Sequence, residues 1–195
     1  LVRDADAVLF TAQYSEALAT AEISISGLVS NVTMTASSST DSTTWKYAWD
    51  VPSSVNGLFT VSLFGEDVAG NTQQSSGLVS FTIDNEYPSL TISSTAENTV
   101  ISNLSSTTIV FILNEVSTDF DNNDIVLEPS GTESDTSISS LTSSDSIVYY
   151  ADYVPPSNYA GTVTISVGAG VFSDLVGHTN INGDSIVLQV DTVGP

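Results

Sequence analysis

Apolar and polar residues alternate through most of the chain, and the period is two. Val8–Tyr14, Ala21–Ile25, Phe59–Phe64 and Leu78–Ile83 each place apolar side chains on one face and mostly Ser, Thr or Gln on the other. Such alternation predicts half-buried β-strands. A second series repeats the style at Thr107–Leu113, Asp124–Leu127, Ser146–Tyr150, Thr162–Val167 and Ser185–Val190. Gly, Asn, Asp, Ser and Pro cluster between these runs, as turns require. No window carries a sustained helical period. Trp45, Tyr47 and Trp49 occupy alternate positions of one strand, share a face and are expected in the core; an aromatic platform for sugar is the weaker reading. The Ser37–Thr40 tract reads as exposed edge strand or loop, with disorder as the competing reading.

Segments recur in the same order. Val51-Pro52-Ser53-Ser54 returns as Val154-Pro155-Pro156-Ser157, and Tyr14-Ser15-Glu16-Ala17 as Leu113-Asn114-Glu115-Val116. Asp67-Val68-Ala69-Gly70-Asn71 returns 107 positions later as Asp174-Leu175-Val176-Gly177-His178, and Ser80–Asp84 at the same spacing as Val187–Asp191. A period near 100 residues is far above that of solenoids and matches one β-sandwich domain. The expected architecture is all-β, with two tandem sandwich domains at 1–85 and 86–195 joined by a short linker, and with the opening strand missing from the first. The chain begins at Leu1 and stops at Pro195, so a fragment of a longer protein is expected.

Composition narrows the chemistry. Twenty-three acidic residues face two basic ones, Arg3 and Lys46, for a net charge of −21 across 195 residues. Two cations cannot neutralise a phosphate track or hold an anionic membrane surface, so nucleic-acid partners and attraction to anionic lipid are excluded, and no direct membrane insertion is expected. Cys is absent, which removes thiol catalysis, disulfide scaffolds and zinc fingers. No stretch is long and apolar enough to span a bilayer as a helix. With 41% apolar residues the chain can still build a core. No Gly-x-Ser-x-Gly elbow is present, and no carboxylate pair has a cleft-forming context, so no enzyme is expected. His178 lacks a second His and reads as a loop residue. The Asp119–Asp124 run lacks the glycine and distal Glu of an EF-hand. Asn31-Val32-Thr33 and Asn103-Leu104-Ser105 are glycosylation sequons.

Taken together, the Phe10–Ala17 and Phe111–Val116 segments, the Asp67–Asn71 loop and the Thr82–Pro88 closing strand resemble the bacterial immunoglobulin-like (Big-type) domains strung through large calcium-dependent cell-surface adhesins. Asp119-Phe120 through Asp124-Ile125-Val126 extends the resemblance. His178 and Asn114 depart from the usual Asn and Ser. The family's strand order implies that Asp84, Glu115 and Asp174 converge at the junction of the two domains, with Asn85 and Asp119 beside them. It also implies an equivalent site in the first domain from Glu16 and Asp67 with Asp4 or Asp6. Several hard oxygens in a small volume suit Ca²⁺, which accepts six to eight of them with loose geometry.

These readings imply a secreted, non-enzymatic extender or spacer segment on a bacterial surface, rigidified by Ca²⁺. Its partners would be neighbouring Ig-like domains of the same chain, with the distal host or surface ligand bound by other domains. A glycan- or protein-binding module, and a surface-layer or filament subunit, remain as alternatives. So does a plain structural reading of the acids, as turn residues or solvated surface.

Overall fold

A computed structural model describes residues 1–4, 6–95, 100–102, 106–131 and 136–195, and the Asn103-Leu104-Ser105 sequon lies outside the described residues. The chain forms two compact units, Leu1–Glu86 and Tyr87–Pro195. Among the described residues the architecture is all-β, and no helix is long and apolar enough to cross a membrane.

The first unit contains β1 (Ala7–Gln13), β2 (Leu18–Ile25), β3 (Val29–Thr33), β4 (Thr35–Ser38), β5 (Asp41–Asp50), β6 (Gly57–Asp67) and β7 (Thr72–Ile83). They make two antiparallel sheets, ordered β1-β5-β4 and β3-β2-β6-β7. The inner faces meet in two apolar clusters. One joins Ala12, Ile23, Met34, Trp45 and Val61; the other joins Ile25, Trp49, Val51 and Ile83. Trp45 and Trp49 are buried and Tyr47 packs against both clusters, so the alternating aromatics of β5 are core. The Trp45 indole N–H finds the Ser42 carbonyl at 2.7 Å, which lets a polar atom enter the apolar layer. The Ser-rich tract supplies β4, an exposed edge strand.

The second unit contains β8 (Leu90–Ser94), β9 (Val100–Ser102), β10 (Thr107–Leu113), β11 (Ile125–Pro129), β12 (Ser137–Ile138), β13 (Thr142–Ser143), β14 (Val148–Val154), β15 (Ala160–Val167) and β16 (Asp184–Asp191). One sheet runs β12-β14-β10-β8, with β13 also on β14; the other runs β11-β15-β16-β9. Among the described residues only β9 on β16 is a parallel pair, and the first unit echoes it with a parallel bridge, Val2 to Ile83. Thr107, Ile109, Phe111 and Leu113 of β10 face inward onto Val163, Ile165, Val167, Leu188 and Val190. Phe120 closes this core edge-on to Tyr149 and Phe172, with ring centroids 5.1 and 5.3 Å away. Each unit is thus a two-sheet sandwich of the immunoglobulin kind.

Strand starts shift where side chains outcompete the ladder. The alternation places a strand start at Ser146, yet that residue has φ 58° and β14 begins at Val148. The Asp145 carboxylate accepts from the Ile147 and Val148 amides and holds a turn there. Likewise Asp124 belongs to a short 3₁₀ turn, Asn122–Asp124, capped reciprocally with Asp121, so β11 starts at Ile125.

Candidate metal centre

Two loops carry the same internal wiring. In the first unit, the Asp67 amide donates to the Asn71 carbonyl at 2.9 Å and the Gly70 amide to the Asp67 carbonyl at 3.2 Å. Asp67 Oδ1 accepts from the Ala69 and Asn71 amides, both at 2.8 Å, and Oδ2 accepts from Asn71 Nδ2 at 2.7 Å. In the second unit, the Asp174 amide donates to the His178 carbonyl at 3.0 Å, and Asp174 Oδ1 accepts from the Val176 and His178 amides at 2.8 and 2.9 Å. His178 Nδ1 then stands 3.1 Å from Asp174 Oδ2, where the Asn71 amide stands in the first loop. The ring therefore replaces the amide as donor, which places a proton on Nδ1. Gly70 and Gly177 take φ of 87° and 84° at the same step, a conformation open to glycine at no steric cost.

The aspartates differ in surroundings. Asp174 is buried, whereas Asp67 is only partly covered. The Asn71 side-chain amide, helped by the backbone amides of Asn71, Ala69 and Gly70, holds the Asp67 carboxyl below its ordinary range. His178 is itself buried, and its ring lies against Tyr87 with centroids 4.7 Å apart. Its solitary place in the sequence suggests only a loop residue with no work. A Tyr at the entrance of the unit and a His at the Asn position are separate in sequence, and only the fold stacks them.

Glu115 follows β10, and its carboxylate lies within 4.8 Å of that of Asp174. Neighbouring residues hold it there. Asn114 Oδ1 accepts from the Ser89 amide at 2.7 Å, and the Asn114 amide donates back to the Ser89 carbonyl at 3.1 Å. Asn114 thus clasps the segment that enters the second unit. Asp119 Oδ1 accepts from the Ser173 amide and stands 2.8 Å from the Ser117 hydroxyl. Burial raises the Asp119 carboxyl, but the Ser173 and Ser117 hydrogen bonds outweigh it and the net shift is downward. Asp119 therefore pins the stretch after Glu115 to the residues just before Asp174.

The other residues proposed from the sequence belong to the first unit. Glu16 and Asp67 line one small cavity of about 110 Å³ with Tyr14, Gly65 and Asn71. Asp4 and Asp6 precede β1 whereas Glu16 follows it, and a seven-residue strand separates those ends by roughly 20 Å. Grouping Asp4 or Asp6 with Glu16 and Asp67 therefore fails on strand length. Asp6 instead caps its own turn through the Arg3 amide. Asn85 is a structural clip: its Nδ2 donates to the Pro52 and Val55 carbonyls, and its Oδ1 accepts from the Asp4 amide at 2.7 Å. Asp84 ends the first unit, with its amide on the Val2 carbonyl and its Oδ1 accepting from the Glu86 amide.

The family model described as "Bacterial Ig-like domain" matches residues 84–190, more than half of the chain. The chain belongs to the bacterial Ig-like domain family. The match begins at Asp84 and spans Glu115, Asp119 and Asp174. Bacterial Ig-like domains are structural modules that typically occur in extracellular or surface proteins. No curated protein matches this chain.

The donor chemistry of the matched bacterial Ig-like domain fits a hard cation. Glu115 and Asp174 offer only carboxylate oxygens, and the Nδ1 of His178 is committed to Asp174. Residues 87–195 contain no Lys or Arg at all, so no ammonium or guanidinium of this unit balances the pair. A divalent ion with oxygen preference, Ca²⁺ before Mg²⁺, suits two carboxylates on loops.

Proposed function

We propose that this chain is a non-enzymatic extender segment of a bacterial surface adhesin. In this reading Ca²⁺ is held by Asp84, Glu115 and Asp174 and stiffens the link between successive Ig-like domains. The single observation that carries the proposal is the Glu115–Asp174 carboxylate pair in a unit devoid of Lys and Arg. Tyr87 supports the third ligand. Its ring packs on His178 and its carbonyl accepts from Asn114, so the chain enters the unit beside the pair. Asp84 lies three residues earlier, a reach of at most about 10 Å.

The physical role follows from freedom lost. A short linker without a bound ion samples many angles. Ligation of one ion by a linker carboxylate and two loop carboxylates restricts them. Modest affinity suffices outside the cell, where Ca²⁺ modules work at roughly 10⁻⁴ to 10⁻³ M. The first unit is proposed as a second domain of the same kind, with Glu16 and Asp67 as its own ligands. The distal ligand would be bound by other domains of the parent protein.

Calcium titration by calorimetry, with melting and small-angle scattering in calcium and in chelator, tests this. The expectation is saturable Ca²⁺ binding, a higher melting temperature and a narrower spread of particle dimensions in calcium. At calcium one hundred times Kd the gain is about 2.7 kcal/mol. Asp84→Ala, Glu115→Ala and Asp174→Ala should each weaken binding, with Glu128→Ala as the silent control. Identical melting curves and scattering in calcium and chelator would remove the proposal.

A further inference from the structure

The second unit has a shallow hollow on its β14 sheet, lined by none of the proposed calcium ligands. Its lining is Ser139, Ser140, Thr142, Tyr150, Ala151 and Asp152, and its volume is about 130 Å³. The hollow exists because the sheet edge is bulged. β12 ends with Ile138 opposite Tyr153 and β13 starts with Thr142 opposite Tyr150, so three edge residues, 139–141, face two of β14. Such an insertion interrupts the ladder and re-aims side chains.

Hydrogen bonds hold the bulge in place. The Ser139 amide donates to the Asp152 carbonyl and the Asp152 amide to Ser139 Oγ, both at 2.8 Å. Asn122 clasps both ends: its Nδ2 donates to the Ser139 carbonyl and its Oδ1 accepts from the Leu141 amide, both at 2.9 Å. Asn122 in turn belongs to the 3₁₀ turn that Asp121 and Asp124 cap reciprocally. The acidic run that fails as an EF-hand thus positions this edge. Ser140 is left exposed on it.

Alternation on β14 turns Tyr149 and Ala151 into the core and leaves Tyr150 48% exposed. Val110 lies opposite Tyr150, and Ile112 opposite Val148, so the ring stands in a small apolar field. Asp152 Oδ1 accepts from the Thr108 hydroxyl at 2.9 Å, leaving Oδ2 as an acceptor. Ser139 Oγ accepts from the Asp152 amide and keeps its own proton to donate. An aromatic face beside a carboxylate oxygen and hydroxyls suits a pyranose, whose ring has an apolar C–H face and a rim of hydroxyls. The apolar field is four side chains, far short of the roughly 20–30 residues a side of a stable protein interface. Anionic ligands are disfavoured, because residues 87–195 hold thirteen acids and no Lys or Arg.

We propose that this hollow is a subsite for one neutral pyranose ring of a glycan, a hexose or an N-acetylhexosamine. Tyr150 stacks on the apolar face of the sugar, Asp152 Oδ2 accepts from a sugar hydroxyl, and the Ser139 and Ser140 hydroxyls bond its rim. The subsite stands apart from calcium and from the extender reading.

The test titrates the full chain, followed by NMR, with the methyl glycosides of glucose, galactose, mannose and N-acetylglucosamine, and with glucuronic acid. The expected result is weak, saturable shifting of Tyr150 by at least one neutral glycoside, in calcium and in chelator alike. Tyr87, 47% exposed and no part of the hollow, should stay unmoved. Tyr150→Ala should abolish binding, Tyr150→Phe keep it and Asp152→Asn weaken it several-fold, while Val154→Ser leaves it unchanged. Should Tyr150→Ala disturb the fold, Tyr150 against Tyr87 in the unaltered chain still decides. No saturable shift with any of the four glycosides, equal shifts at Tyr87, or binding untouched by Tyr150→Ala or by Asp152→Asn overturns the proposal. So does glucuronic acid bound as tightly as the neutral sugars. Dimers in sedimentation that Tyr150→Ala dissociates also overturn it and give the face to a second copy.

Discussion

Asp174 holds its loop by accepting two backbone amides on one oxygen and the His178 ring on the other. Asp174→Ala leaves buried donors without partners, so a loss of about 1–3 kcal/mol is expected in urea denaturation. His178→Asn restores the pairing seen at Asp67 and Asn71 and should fold as the parent does, whereas His178→Ala loses both the Asp174 contact and the Tyr87 stack. Acid sensitivity has a definite sign. Hydrogen bonds hold the carboxyls of Asp67, Asp119 and Asp145 below their ordinary values. Their contribution is complete above the unfolded carboxylate range, near pH 4, and disappears as pH falls through the folded values. Asp124 works in the other direction: burial raises its carboxyl, so its protonation relieves a penalty as acid is added. Melting temperature should therefore fall below about pH 4, and Asp119→Asn should flatten that fall.

At the scale of elements, close approach decides more than propensity. A Cβ on Gly183 would collide with the Val167 backbone carbonyl at the start of the β15–β16 ladder. Backbone cannot yield cheaply, so Gly183→Ala should cost about 1–3 kcal/mol in denaturant unfolding. Gly161→Ala would bring its methyl carbon to 2.7 Å from the Tyr159 hydroxyl and disturb the bonds of that hydroxyl to Ser130. The long alternating runs are legible: Thr107–Leu113 is β10 residue for residue, because each inward side chain is apolar or Thr and each turn is polar. The strands Val29–Thr33, Leu90–Ser94 and Val100–Ser102 carry no such signal. They are short, and among the described residues each depends on one neighbour for its ladder, β2 for β3, β10 for β8 and β16 for β9.

At the scale of the molecule, charge is the organising quantity. Both basic residues lie in the first unit, so the second has no Lys or Arg as internal counter-charge. Its self-repulsion should be relieved by salt, since screening at 0.15 M acts beyond about 8 Å. Raising sodium chloride from low ionic strength should raise the melting temperature gradually. Calcium should do so at far lower concentration, and Asp174→Ala should remove the calcium increment while leaving the sodium one.

Alternation with period two, turn residues between the runs and a repeat near 100 residues already determined an all-β sandwich from local information. The repeat also flagged Glu16, Glu115, Asp67 and Asp174 as equivalent positions. It could not tell a turn cap from a ligand, because both uses need the same residue in the same loop. That choice depends on what approaches from distant sequence. Tertiary structure brought Glu115 to Asp174, set Asn85 to tying its own unit, and put a strand's length between Asp4 or Asp6 and Glu16. It also buried His178 under Tyr87. Local pattern fixes which face of a strand is apolar; only the folded chain fixes which loops meet.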